Sequence, residues 1–117
     1  NKRVKDESFS CAEKFKPFLE SEGLILVSGG RCFDEQGFPV AYNASFMFYW
    51  LDRKGFNICV EEQSMARVAD FAAAGAVYFA AQKDLLAEKP DLENELRANF
   101  AVVAECDEMI LFALRKQ

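Results

Sequence analysis

Histidine is absent from this chain of 117 residues, and with it the side chain that most often performs general acid–base catalysis at neutral pH. Glycine is scarce, and the pair Gly29-Gly30 lacks the later glycine and the lysine that a phosphate-cradling loop requires. The four cysteines, Cys11, Cys32, Cys59 and Cys106, stand too far apart in sequence for CxxC redox or zinc spacing. Uncharged runs such as Phe71 to Gln82 fall short of the roughly 20 residues that carry a helix across a bilayer. No stretch rich in proline, glycine and serine divides the chain. These absences predict a single domain over residues 1–117, with a polar and flexible start at residues 1–7, that is not an enzyme. No cofactor, no metal and no membrane segment are expected.

What is present is apolar and aromatic. Half of the residues are hydrophobic and twelve are phenylalanine, enough for a core in a chain of common domain size. Val40, Tyr42, Ala44, Phe46, Phe48 and Trp50 fall on every second position, the period of a strand with one aromatic face. The branched run from Leu24 to Phe33 reads as a strand before it, and Phe56 to Glu62 as a strand after it. Asp34-Glu35-Gln36-Gly37 and Asp52-Arg53-Lys54-Gly55 supply turn chemistry between them. A first helix, capped by Ser8 or Ser10, is expected to end at Gly23, with Pro17 in its first turn or at a kink. Ser64 reads as the cap of a long helix to about Glu88. Lys89-Pro90-Asp91 then breaks the chain, and a third helix carries Leu92, Leu96, Phe100, Val103, Ile110 and Leu114 on one stripe, unless Met109 to Phe112 forms a strand. The predicted fold is α+β, in the order α-β-β-β-α-α: a three-stranded antiparallel meander with helices packed on one face.

The formal net charge of −5 and pI of about 4.8 disfavour nucleic acid as a partner. The surplus is local, because eight acids between Asp84 and Glu108 face only Lys89 and Arg97. Asp84, Glu88, Asp91, Glu93 and Glu95 are therefore the candidate residues for binding a protein partner with a basic surface. Acids in the first turns of a helix also stabilise its dipole, and solvated faces account for most such runs.

Glu61 and Glu62 at the end of the third strand, with Asp107 and Glu108, are candidates for a carboxylate pair, although neighbours on a strand point to opposite faces. Cys32 beside Arg31 is the candidate for an activated thiol. Four cysteines could form two disulfides in a secreted protein, but each lies in an apolar segment and all four read as reduced packing residues. The polar run Asn1 to Glu7 lacks the apolar core of a signal peptide, so the cytoplasm is the expected compartment. The sequon at Asn43 falls within the aromatic strand and does not alter that expectation. The run Ala72 to Ala76 offers Ala72, Gly75 and Ala76 as a small-residue face for helix packing or for the seam of a homodimer.

The leading functional reading is a small acidic, non-enzymatic protein that inhibits or escorts a partner, of the inhibitor, immunity or adaptor type. The alternative is a small-molecule-binding domain with Tyr42, Phe46, Phe48, Trp50 and Tyr78 around an aromatic pocket between sheet and helix.

Overall fold

The computed structural model describes residues 10–19, 23–28, 32–33, 35–38, 51 and 54–115, with the side chain of Val60 left aside. Residues 10–15 form helix α1, which tightens into a 3-10 turn at Lys16–Phe18. Pro17 sits inside that turn, where a missing backbone N–H costs little. Strand β1, Leu24–Ser28, follows. After the stretch from 29 to 54 come β2, Gly55–Ile58, and a 3-10 turn, Val60–Glu62. Helix α2, Met65–Ala73, begins where the Ser64 hydroxyl accepts the Arg67 N–H at 3.2 Å, as the sequence led us to expect. Beyond it lie β3, Ala76–Gln82; α3, Lys83–Ala87; α4, Pro90–Asn99; β4, Ala101–Glu105; and β5, Met109–Ala113.

Among the described residues, five strands form one mixed sheet in the order β2-β1-β3-β5-β4. This corrects the expected meander. β1 pairs in parallel with both β2 and β3, whereas β5 runs antiparallel to β3 and β4. Parallel strands need a crossover, and α2 lies in the one that carries the chain from β2 past β1 to β3. The expected aromatic strand falls almost wholly on residues 39–50, outside the described residues.

The long helix expected from Ser64 to Glu88 is three elements. Gly75 holds φ +117°, a left-handed conformation that an α-helix excludes and that glycine adopts without penalty. The chain therefore leaves α2 and enters β3, which is buried along almost its entire length because it lies at the centre of the sheet. A short apolar run buried on both sides has the same composition whether it is helix or strand, and the alanines concealed the difference. The third helix likewise stops at Asn99. Phe100 takes extended φ and ψ, and the residues beyond it form a hairpin whose two-residue turn, Asp107-Glu108, is closed by the Cys106 N–H to the Met109 carbonyl at 2.9 Å. Met109 to Phe112 is strand.

Helices cover both faces of the sheet, not one. Ile25, Val27, Tyr78, Ala80, Leu111 and Ala113 point to the side of Cys11, Ala12 and Phe15 on α1, with Leu19 and Leu51. Leu26, Phe79, Ala81, Ile110 and Phe112 point to the side of Val68, Leu86, Leu92 and Leu96. The alternation along β1, β3 and β5 is the period of two that a sheet with two covered faces requires. Each fully buried side chain of this size contributes about 1.5–3 kcal/mol.

Two disulfides, Cys11–Cys106 and Cys32–Cys59, with Cα separations of 5.5 and 5.1 Å, replace the four reduced packing cysteines expected from sequence. The first ties α1 to the β4–β5 turn across the sheet. No spacing rule identifies such pairs, since four cysteines allow three connectivities and only the fold selects one.

Candidate functional site at the carboxyl edge of the sheet

Because β4 is antiparallel to β5 and β5 to β3, strands β1 to β4 all point the same way. Their carboxyl ends meet along one edge. The chain runs from β1 outward to β2 and returns to β3 on the other side of β1. The gap between the ends of β1 and β3 is thus the point at which successive connections reverse direction, the place where open α/β sheets receive ligands.

Ser28 ends β1 and Gln82 ends β3. Ser28 is buried, and its hydroxyl accepts the Gln63 side-chain N–H at 2.9 Å from an equally buried glutamine. Lys89 in turn donates to the Gln63 carbonyl at 2.9 Å, which binds the α3–α4 junction to the segment after β2. Lys83 forms an ion pair with Glu105 at 3.0 Å, and its backbone N–H reaches the Glu108 carbonyl at 2.8 Å. Glu61, Glu62, Asp84, Asp91, Glu105, Asp107 and Glu108 therefore collect at one end of the molecule, with Lys83 and Lys89 among them.

Glu61 and Glu62 do not alternate as strand residues, because they lie on a 3-10 turn. Both carboxylates consequently turn toward the Cys32–Cys59 bridge. Glu61 Oε1 accepts the Cys32 backbone N–H at 2.7 Å. Glu62 Oε1 lies 2.9 Å from Cys59 Sγ, while its Oε2 is 3.9 Å from Arg67. Cys32, bonded to Cys59, is not the activated thiol that its neighbour Arg31 suggested.

Of the residues expected to bind a partner, Asp84, Glu88, Asp91 and Glu95 are exposed. Glu93 is half-buried and held by Arg97 at 3.0 Å, one helical turn on, and the Asp84 carboxylate accepts the Leu85 N–H. Asp84 and Asp91 lie near the carboxyl edge. Glu95 is farther from it, since α4 starts at that edge and runs back to the start of β4.

Ala72, Gly75 and Ala76 do not share a helix face: the first is on α2, the second in the turn, and the third is buried at the start of β3. Tyr78 packs toward α1, and its hydroxyl donates to the Phe18 carbonyl at 3.2 Å. Its expected pocket partners at positions 42, 46, 48 and 50 lie outside the described residues. Sequence reasoning missed Ser28 and Gln63; the available signal was a serine at the carboxyl end of an apolar strand, just before two glycines.

Among the described residues, no helix is long and apolar enough to cross a membrane. Comparison with protein-family models, with curated proteins and with solved structures gives no match.

Proposed function

We propose that this chain is a non-enzymatic binding domain that presents the acidic carboxyl edge of its sheet to a protein partner with a basic surface, which it inhibits or escorts. The observation that carries this reading is the convergence of two acidic groups, Glu61-Glu62 and the acids between Asp84 and Glu108, at one end of a sheet whose faces are both covered. Charge concentrated in this way speeds and orients docking, and makes it sensitive to salt. The test is retention of partners from native extract at low and high salt, comparing the natural chain with a Glu61→Lys/Asp91→Lys/Asp107→Lys variant whose fold is verified by circular dichroism. One protein, retained at low salt by the natural chain and lost by the variant, supports the proposal. Equal retention by both, or retention indifferent to salt, refutes it.

We further propose an oxidising compartment in place of the cytoplasm. Two disulfides without CxxC spacing are characteristic of exported chains. Alkylation of intact cells before lysis tests this, because a cytoplasmic chain would take up four labels and an oxidised one none.

A further inference from the structure

The two disulfides differ in their surroundings. Cys11 and Cys106 are 2% and 6% exposed and sit within the core. Cys59 is 2% exposed and lies against the Glu62 carboxylate, but its partner Cys32 is half-buried at the carboxyl edge, where its backbone N–H is held by the Glu61 carboxylate, so that this bridge is open to solvent on one side. One ligand atom each from Cys32, Cys59 and Glu62 lie within 4.8 Å of one another. Arg67 is on the Oε2 side of Glu62, so that Oε1 faces the sulfur.

We propose that reductive opening of the Cys32–Cys59 bridge turns this corner into a zinc(II) site, with the two thiolates and the Glu62 carboxylate as ligands. While the S–S bond is intact the sulfurs are poor ligands, and the site does not exist. A dithiol reductant supplies two electrons and two protons: the protein S–S bond breaks, two protein thiols form, and the reductant becomes a cyclic disulfide. On binding zinc the two thiols release their protons to solvent, since the thiolate is the ligand.

Geometry and chemistry both favour this ion. Zn–S bonds of about 2.3 Å and Zn–O bonds of about 2.0–2.2 Å in a tetrahedron set the ligand atoms roughly 3.3–3.8 Å apart. The two sulfurs, bonded to each other in the disulfide, must part to that spacing once the bond is broken, and the 5.1 Å Cα separation leaves them room to do so by rotation about their side-chain bonds, while the Glu62 oxygen already lies within 4.8 Å of both. Thiolates select zinc over magnesium and calcium, which take oxygen ligands. Water fills the fourth position. The surrounding negative charge of Glu61 favours a cation there.

The experiment starts from the oxidised full chain, treated without denaturant with a phosphine reductant, which does not compete for zinc as a dithiol would. Timed alkylation with peptide mapping identifies the bridge that opens. Competition with a chromogenic chelator then measures zinc, and cobalt(II) substitution gives sulfur-to-metal charge-transfer absorption. Cys32 and Cys59 should label at least tenfold faster than Cys11 and Cys106. The reduced chain should bind one zinc per molecule and the oxidised chain none. Glu62→Gln, an exposed and nearly isosteric change that leaves the disulfide in place, should weaken zinc at least tenfold after reduction. First opening of Cys11–Cys106, no stoichiometric zinc on the reduced chain, or unchanged affinity in Glu62→Gln would each overturn the proposal.

Discussion

Removing the Cys11–Cys106 bridge is the sharpest perturbation of this fold. The bridge spans 95 residues and encloses the 27-residue Cys32–Cys59 loop. If the inner loop is already closed in the unfolded chain, the outer one is effectively about 68 residues long, and the chain-entropy relation gives a stabilisation of about 4.4 kcal/mol. Domains of this size are stable by roughly 5–15 kcal/mol, so the loss is a large share of the total. At about 4 °C per kcal/mol for a chain of this length, the melting temperature should fall by roughly 15–20 °C. A Cys11→Ala/Cys106→Ala variant also forfeits buried sulfur contacts, which adds to the effect. The assay is thermal and urea unfolding of the natural chain and of this variant. Because the relation is logarithmic in loop length, Cys32→Ala/Cys59→Ala, which opens a 27-residue loop, should cost less, about 3.6 kcal/mol. A fall of under 5 °C for the Cys11→Ala/Cys106→Ala variant, or a larger effect from the shorter loop, would refute the reasoning.

Three further outcomes follow from particular contacts. A Cβ on Gly55 would overlap the carbonyl oxygen of Ile25 on the paired strand, a backbone atom that cannot turn aside. Gly55→Ala should therefore destabilise by about 2 kcal/mol or more, and a change within about 0.5 kcal/mol in urea unfolding would mean that β1 and β2 do not pair in this register. Gln63→Leu leaves the buried Ser28 hydroxyl without its partner, at a cost of about 1–3 kcal/mol; the double change with Ser28→Ala should recover part of it, and no recovery would show that the two side chains are not coupled. Leu96→Ala, at a fully buried position on α4, should cost about 2–5 kcal/mol by chemical denaturation, whereas the solvent-facing Glu95→Ala should stay within about 0.5 kcal/mol.

Local signals in the chain were legible where their chemistry was local. Ser64 announced a helix start because its hydroxyl satisfies the N–H of Arg67 only three residues on, a bond that needs no distant segment, and Pro90 with Asp91 marked the start of α4 for the same kind of reason. Branched residues from Leu24 to Val27 identified β1. Leu92 and Leu96 were read as core, and both are buried. The acids from Asp84 onward were visible as a cluster, but their meeting with Glu61 and Glu62 was not, because it depends on the ends of separate strands lying side by side.

Composition and local periodicity are enough to establish a mixed helix-and-strand chain with an apolar core, an acidic surplus and no histidine. Tertiary structure decided the rest. Whether Ala76 to Gln82 becomes strand or helix depends on finding β1 and β5 as neighbours, since a run with apolar groups on every side satisfies either geometry and backbone pairing chooses between them. Whether strands run parallel or antiparallel depends on where α2 crosses. Which cysteines bond depends on Cα atoms being brought within about 6 Å across 27 and 95 residues. Each of these is a contact between distant segments, and no periodicity within a single segment encodes it.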